Sequence, residues 1–196
     1  MIGRLHTAGS AAAGKGIDMR VMREAVVVQM TWPGAPTIYY ADEAGQVGWT
    51  DPDCRRTYPW GNEDEDLIEL HRVLARLRNA HPALRYGSFA PLGGGNGWIA
   101  FGRFLHGAAG GPTTDSVAIV CNNLDCEQDV SLRLRTIGVA DGSKAKTLLQ
   151  TTSEGFDASG AKLGRVENGM LALSVPARSA IVLTAKTKKR KGADDA

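Results

Sequence analysis

The chain has 196 residues, of which 43% are hydrophobic and 22% are charged. This composition is typical of a soluble globular protein and excludes a largely disordered chain. The formal net charge is only +2, and basic residues concentrate in the stretch 186–191, which excludes a basic face for binding nucleic acid. No stretch reaches the roughly 20 apolar residues that span a membrane, and the N-terminus lacks the apolar core of a signal peptide.

The three cysteines, Cys54, Cys121 and Cys126, are an odd number and lack the Cys-x-x-Cys spacing. This pattern favours reduced thiols and therefore a cytoplasmic protein. A structural zinc site needs four close ligands, which the sequence does not offer, so we predict no metal site and no cofactor.

The first predicted helix follows a loop over residues 1–16. Asp18 is suited to cap its N-terminus, and the helix must end by Trp32 because a Pro-Gly pair follows. The i, i+3, i+4, i+8 spacing predicts one buried face, formed by Met22, Ala25, Val26 and Met30.

Residues 36–40 are apolar on both faces and predict a strand buried in a parallel sheet. A long polar loop over 42–62 follows, and loops of this length are uncommon unless they are functional. A second helix is predicted from Asp64 to His81, with a buried stripe formed by Leu67, Leu70, Leu74 and Leu77.

The periodicity becomes alternating after residue 83, which predicts an antiparallel β-sandwich. The candidate strands are 98–105, 116–122, 130–135, 146–150, 170–175 and 180–184, and the glycines at 93–95 are interpreted as a hairpin turn. We therefore predict an α/β unit over 1–82, an all-β sandwich over 83–186 and a basic disordered tail over 187–196. The sandwich is expected to fold alone.

Three segments carry a resemblance to a known family: 31–45 (TWPGAPTIYYADEAG), 50–60 (TDPDCRRTYPW) and 77–87 (LRNAHPALRYG). In this order they resemble the eighth strand, the following loop and the end of the eighth helix of the α-amylase family, in its neopullulanase, cyclomaltodextrinase and maltogenic amylase branch. Ala41 departs from the pattern, which usually has Gly there. The resemblance implies that the chain is a C-terminal portion: the end of a (β/α)8 barrel (helix, eighth strand, long loop, eighth helix) plus a C-terminal β-sandwich. The α/β part is then not expected to order without the rest of the barrel.

The resemblance implies a retaining hydrolase of α-glucosidic bonds in maltodextrin, cyclodextrin or pullulan, whose parent forms a homodimer. Its nucleophile, acid and transition-state-stabilising carboxylates would all lie before Met1, so we assign no catalytic residue to this chain. Asp42 and Glu43 are adjacent at a strand end and point to opposite sides, so they do not flank one bond as a pair. A structural role in fixing the loop is favoured for both.

The predicted substrate-binding residues are Asp51 and Arg55, which match an Asp and an Arg that contact sugar in the family. A carboxylate accepts from two hydroxyls and a guanidinium donates a planar fork, but a pair that only ties down the loop is an equal alternative. Trp49, Tyr58 and Trp60 are candidates to stack on sugar rings, and packing under the loop is an alternative for Trp60.

His71 lies beside the leucine stripe and is interpreted as a packed or half-exposed side chain and not as a ligand. Two further functions remain open besides the truncated hydrolase. The chain is alternatively a non-catalytic α-glucan-binding accessory protein, or a subunit that completes a barrel supplied by another chain. The apolar segment 36–40 favours the truncated hydrolase because a free-standing module would expose it.

Overall fold

Helix α1, Met19–Thr31, has the ends that the sequence predicts. The computed structural model describes residues 16–48 and 51–187, so the predictions for 1–15 and 188–196 lie outside the described residues. Asp18 accepts a hydrogen bond from the Arg20 backbone N–H at 3.0 Å, and Trp32 is the C-cap. Val26, Val27 and Met30 are buried, whereas Ala25 is exposed. The buried face is therefore turned from the predicted one, because α1 packs on a sheet and on a second helix.

Helix α2, Glu65–Ala80, is also confirmed with its predicted cap and buried stripe. The Asp64 carboxylate accepts from the Leu67 backbone N–H at 2.9 Å, which satisfies a helix donor that would otherwise have no partner. Three of the four predicted leucines are buried, and Leu77 is half-buried. His81 ends the helix, and the short helix α3, Pro82–Tyr86, follows directly.

The predicted strand over 36–40 is absent, and this part of the fold prediction was wrong. Residues 35–39 have no regular secondary structure, and Ile38, Tyr39 and Tyr40 are all exposed. A parallel strand needs neighbours that accept and donate its backbone hydrogen bonds. Among the described residues no strand pairs with this segment, so its apolar side chains remain at the surface.

The second half of the chain is antiparallel β-structure, as predicted. One sheet has the order β1-β2-β3-β9-β5-β6, with β7 also paired to β5, and a second sheet consists of β4 and β8. Within the described residues, the nine strands are β1 (Ser88–Gly95), β2 (Trp98–His106), β3 (Thr113–Asn122), β4 (Gln128–Leu132), β5 (Lys144–Thr151), β6 (Phe156–Asp157), β7 (Lys162–Arg165), β8 (Leu171–Val175) and β9 (Ser179–Ala185).

All six predicted strands are present, but three details differ. The glycines at 93–95 are not a turn: they pair with Ala100, Ile99 and Trp98 as the last residues of β1. The predicted strand 130–135 ends at Leu132, and a 3₁₀ helix, Leu134–Ile137, follows. The strands β1, β6 and β7 were not predicted: β1 ends in the run of glycines, and β6 and β7 have only two and four residues, which give too little alternation.

The large sheet is buried on both faces, and β3 shows this most clearly. Ala118 and Val120 point into a core between the two sheets, whereas Val117 and Ile119 point into a second core beneath α1 and α2. The helices pack against the large sheet, and the expectation that they need the rest of a barrel to order remains a prediction. The predicted domain boundary at 83 remains a prediction.

Candidate functional site

The long loop over 42–62, which precedes α2, opens with a tight turn around Ala41. The Ala41 carbonyl accepts from the backbone N–H groups of Ala44 and Gln46 at 3.1 and 3.0 Å. At the other end, the Ala44 carbonyl accepts from the Asp64 N–H at 3.0 Å, immediately before α2. The beginning and the end of the loop are thus joined by a backbone hydrogen bond next to α2.

Ala41 adopts a left-handed conformation with φ of 68° and is fully buried. This conformation costs a residue with a Cβ roughly 1–2 kcal/mol, whereas glycine adopts it freely. Because glycine also makes the unfolded chain more flexible, we expect Ala41→Gly to raise the free energy of unfolding by about 0.5–1 kcal/mol. Urea denaturation of the unaltered chain and of Ala41→Gly would show this gain as a higher midpoint for the variant, with the slope of free energy against urea unchanged.

The matched control for this prediction is Ala44→Gly in the same turn. Ala44 is buried and lies outside the positive-φ residues, so glycine there should lower the free energy of unfolding by about 0.5–1 kcal/mol. A lower midpoint for both variants would show that Ala41 is not strained.

Two Asp–Arg pairs in the loop have different environments. Arg56 donates to Asp53 at 2.6 Å, and the two side chains are only 17% and 13% exposed. Arg55 donates to Asp51 at 2.6 Å, but these side chains are 67% and 60% exposed. The mostly buried pair Asp53 and Arg56, which the sequence reasoning missed, joins two residues within the loop and stabilises its local conformation. The predicted pair Asp51 and Arg55 is left at the surface with its polar atoms accessible.

The electrostatics of the exposed pair keep Asp51 ionised. Its carboxylate accepts from the Cys54 thiol at 3.1 Å and from Arg55. These two hydrogen bonds hold the pKa of Asp51 below its usual range, and the Asp51 carboxylate in turn raises the pKa of the Cys54 thiol. Near neutral pH the site therefore presents a carboxylate acceptor beside a guanidinium donor.

Two tyrosines lie beside this pair, and the sequence reasoning had assigned them to a buried strand. The rings of Tyr39 and Tyr40 lie 4.8 Å apart between centroids, and the Tyr40 hydroxyl donates to the Arg56 carbonyl at 2.8 Å. Desolvation of the hydroxyl and the neighbouring Tyr40 raise the pKa of Tyr39; Cys54 adds to this rise, and Arg55 opposes it. The site thus combines exposed rings with a charged pair, an arrangement suited to an amphipathic ligand such as a sugar.

Asp42 and Glu43 lie at the start of the loop, and we assign neither a catalytic role. Burial, then the adjacent Glu43, raises the pKa of Asp42, while His71 and a hydrogen bond from the Tyr39 backbone oppose this. His71 is buried and its Nδ1 lies 2.8 Å from the Leu67 carbonyl, as expected for a packed side chain.

The three candidate stacking residues have separate outcomes. Trp49 lies outside the described residues. Trp60 is 80% exposed, so the alternative in which it packs under the loop was wrong. Its ring centroid lies 4.5 Å from that of Tyr58, and the two rings form a tilted pair.

The described residues contain no group of three metal-ligating side chains placed to hold an ion, and the cysteines are unbridged. Within residues 16–48 and 51–187, none of the helices has the length and apolar character needed to cross a bilayer.

Comparison with known proteins relates most of the chain to amylolytic enzymes. No family model matches. An amylopullulanase of Thermoanaerobacterium saccharolyticum is 34% identical over 175 residues, covering 87% of this chain and 13% of that protein. A cyclomaltodextrinase of Thermoanaerobacter pseudethanolicus is 36% identical over 129 residues, covering 65% of this chain and 21% of that protein.

The fold has a similar counterpart in a solved α-amylase from Anoxybacillus, with a TM-score of 0.70 and 23% identity. The match covers 88% of this chain and 33% of the other, and it corresponds to the C-terminal β domain of that enzyme class. The chain spans only a small part of the curated relatives that it matches. The chain therefore belongs to the α-amylase family: it matches amylopullulanases over most of its length, and proteins named cyclomaltodextrinase, neopullulanase and maltogenic amylase over shorter stretches.

Proposed function

We propose that this chain is the portion of an α-glucan hydrolase that carries a substrate-contacting loop and the C-terminal β domain. The names of its relatives support α-glucan as the ligand class. The substrates would be maltodextrin, cyclodextrin or pullulan, cut with retention by carboxylates that lie outside these 196 residues. A cytoplasmic location and a homodimeric parent remain predictions.

One observation carries this proposal: Asp51 and Arg55 are exposed while Asp53 and Arg56 already fasten the loop. A pair whose only role was to tie down the loop would duplicate the buried one. Exposed ion pairs contribute little to stability, so Asp51 and Arg55 add little to the stability of the loop. The accessible carboxylate and guanidinium are instead placed to accept from and donate to the hydroxyls of a sugar.

We expect Asp51→Ala to weaken binding of maltotriose to this chain by about tenfold, because a charged acceptor of sugar hydroxyls is lost. Isothermal titration calorimetry would measure the dissociation constant. Arg55→Lys keeps the charge and loses the planar fork, so its affinity should also fall.

The matched control is Asp129→Ala, which removes an exposed carboxylate on β4, away from the loop. It should leave maltotriose affinity and stability unchanged. If Asp51→Ala and Asp129→Ala bind as tightly as the unaltered chain, the proposed role of the pair is wrong.

A second function, completion of a barrel by partner binding, is favoured by one feature. Trp32, Ile38, Tyr39 and Tyr40 expose apolar surface on and after the end of α1. Exposed apolar surface of this kind marks interaction sites. The other alternative, a non-catalytic accessory chain that binds glucan, would use the same loop. Chromatography of the chain with a separately produced barrel would test for a complex.

A further inference from the structure

A groove on the described surface lies between α1 and the hairpin that joins β1 to β2. One face of α1, the ends of β1 and β2 and the end of β3 form its walls. Its volume is about 550 Å³, within the roughly 300–1,000 Å³ typical of small-molecule sites. None of the residues that line this α1 groove belongs to the loop that carries Asp51 and Arg55, so the groove is separate from the proposed glucan site.

The walls of the α1 groove are mostly apolar. Val21, Ala25 and Val28 line it from α1, and Trp98 and Ile99 line it from β2. Ile99 is 50% exposed, so the groove leaves apolar surface in contact with water. An apolar body that filled the groove would remove this surface from water, which is favourable.

One carboxyl group interrupts the apolar walls. Glu24 lines the α1 groove and is only 5% exposed, and its Oε1 has no hydrogen-bond partner among the described residues. The amide of Asn123, which also lines the groove, lies 3.5 Å from the Glu24 Oε2, beyond the usual length of a hydrogen bond. Burying a carboxylate without partners is costly, so a donor placed in the groove would be favoured. The terminal torsion of a glutamate is soft, which allows either oxygen to turn toward such a donor.

Two cations act on Glu24, and both are held by other carboxylates. Arg20 donates to the two Asp18 oxygens at 3.0 and 2.7 Å. Arg178 donates to the two Asp125 oxygens at 3.0 and 3.1 Å. Burial raises the pKa of Glu24 to about 7, and the charges of Arg178 and Arg20 oppose this rise only in part. The Glu24 carboxylate is therefore left without a cation of its own.

We propose that the α1 groove binds an apolar amine, whose ammonium group donates to the Glu24 carboxylate while its hydrocarbon body lies against Val28, Trp98 and Ile99. An ammonium ion supplies both the positive charge and the hydrogen-bond donors that this carboxylate lacks. Burial raises the pKa of Cys121 to about 12, so its thiol in the groove wall stays neutral and adds no competing charge. The amine site does not depend on glucan binding and goes beyond the proposed function.

The test uses hexylammonium, with 1-hexanol and hexanoate as matched compounds that lack the cation. The indole N–H resonance of Trp98 in a ¹⁵N correlation spectrum, assigned by its loss in Trp98→Phe, would follow binding to the whole chain. At pH 8 hexylammonium should bind about tenfold more tightly than hexanol, because only the ammonium pairs with the Glu24 carboxylate. Hexanoate should bind most weakly, because it places a second carboxylate beside the first.

Four variants locate the ammonium group. Glu24→Gln keeps the shape and removes the charge, so it should weaken hexylammonium binding by about tenfold and leave hexanol binding unchanged. Ala25→Phe fills the groove from an exposed position of α1 and should abolish the binding of both compounds. Two controls should bind as the unaltered chain does: Ala80→Phe, at an exposed position of α2, and Glu127→Gln, which removes an exposed carboxylate. If Ala25→Phe fails to fold, Glu24→Gln still decides the matter.

The affinity for hexylammonium should also depend on pH. Between pH 8 and pH 5 an alkylammonium stays protonated, whereas Glu24 takes up a proton, so the affinity should fall by about tenfold. The surrounding groups keep their charges over this range, because ion pairing lowers the pKa of Asp18 and Asp125 and raises that of Arg20 and Arg178. Glu24→Gln should show no such fall.

Three results would overturn the proposal. They are the absence of hexylammonium binding, equal affinity of the unaltered chain and Glu24→Gln for it, and equal affinity of the unaltered chain for hexylammonium and hexanol. A dimer in sedimentation that Ala25→Phe abolishes, in a chain that binds no amine, would assign the groove to contact between two copies instead. Maltotriose binding tests the proposed function separately, so the failure of one leaves the other standing.

Discussion

Replacing Arg103 with alanine should lower the free energy of unfolding by about 3–5 kcal/mol. The Arg103 side chain is 1% exposed, and its guanidinium donates to the Thr31 carbonyl at 3.0 Å and to the Gly87 carbonyl at 2.8 Å. The alanine variant leaves both carbonyls without that partner and opens a cavity where a large side chain was buried. Urea denaturation followed by circular dichroism would measure the loss.

The reason for the size of this effect lies at the C-terminus of α1. The last turn of α1 contains no basic residue, although its carbonyl groups carry the negative end of the helix dipole. Two arginines from elsewhere supply the missing donors. Arg103 from β2 binds the Thr31 carbonyl, and Arg78 from α2 binds the carbonyls of Met30 and Gly34. Together they fasten α1 to the sheet and to its neighbouring helix.

Two variants calibrate the Arg103 experiment. Arg78→Ala should cost less, about 1–2 kcal/mol, because its side chain is half-buried and water can replace its hydrogen bonds. Arg133→Ala removes an exposed arginine and should change stability by less than about 0.5 kcal/mol. If Arg103→Ala costs no more than Arg133→Ala, the buried guanidinium does not hold α1 in place.

Local patterns predicted the helices and most strands because the causes were local. Asp18 and Asp64 cap their own helices within two or three residues, and the leucines of α2 repeat at helical spacing. Alternation in β4 placed Val130 and Leu132 in the core, where both lie. Such features depend on residues a few positions apart, which a sequence shows directly.

The segment 36–40 was mispredicted because strand formation is not local. Its residue types favour a strand, but a strand requires a partner, and none of the described strands lies beside it. Arg103 was missed for a related reason: it lies 72 residues from the Thr31 carbonyl that it binds. The missing strand partner and the distant carbonyl both lie far along the chain, so neither leaves a pattern in the sequence nearby.

The candidate site was predicted in part. Asp51 and Arg55 were singled out, and the structure pairs them, but which of two Asp–Arg pairs would be buried depends on how the loop folds back. Spacing alone allows both pairs, at i+4 for the first and i+3 for the second. The exposure that distinguishes them is a property of the folded loop, and their role in binding remains a prediction.

Glu24 is a buried carboxyl group with few partners. It is 5% exposed on α1, in a groove whose walls include Val28 and Ile99, and its Oε1 has no hydrogen-bond partner among the described residues. The Asn123 amide lies 3.5 Å from Oε2. Burial raises the pKa of Glu24 to about 7, although Asn123 and the positive charges of Arg178 and Arg20 oppose this shift and Asp18 adds to it.

The raised pKa sets the sign of a stability change with pH. Below about pH 4.5 the carboxyl is protonated in the folded and unfolded states, so Glu24 then carries no ionisation cost. As the pH rises from there through about 7, the unfolded state releases its proton first, so Glu24 lowers the stability of the folded protein until both states are ionised.

We expect Glu24→Gln, which cannot ionise, to be more stable than the unaltered chain by up to about 3 kcal/mol at pH 8 and nearly equal to it at pH 4.5. Urea denaturation across this pH range would show the two stability curves diverging, while Glu127→Gln, at an exposed position, should follow the unaltered chain throughout. Parallel curves for Glu24→Gln and the unaltered chain would mean that the Glu24 carboxylate is solvated or paired in the folded state.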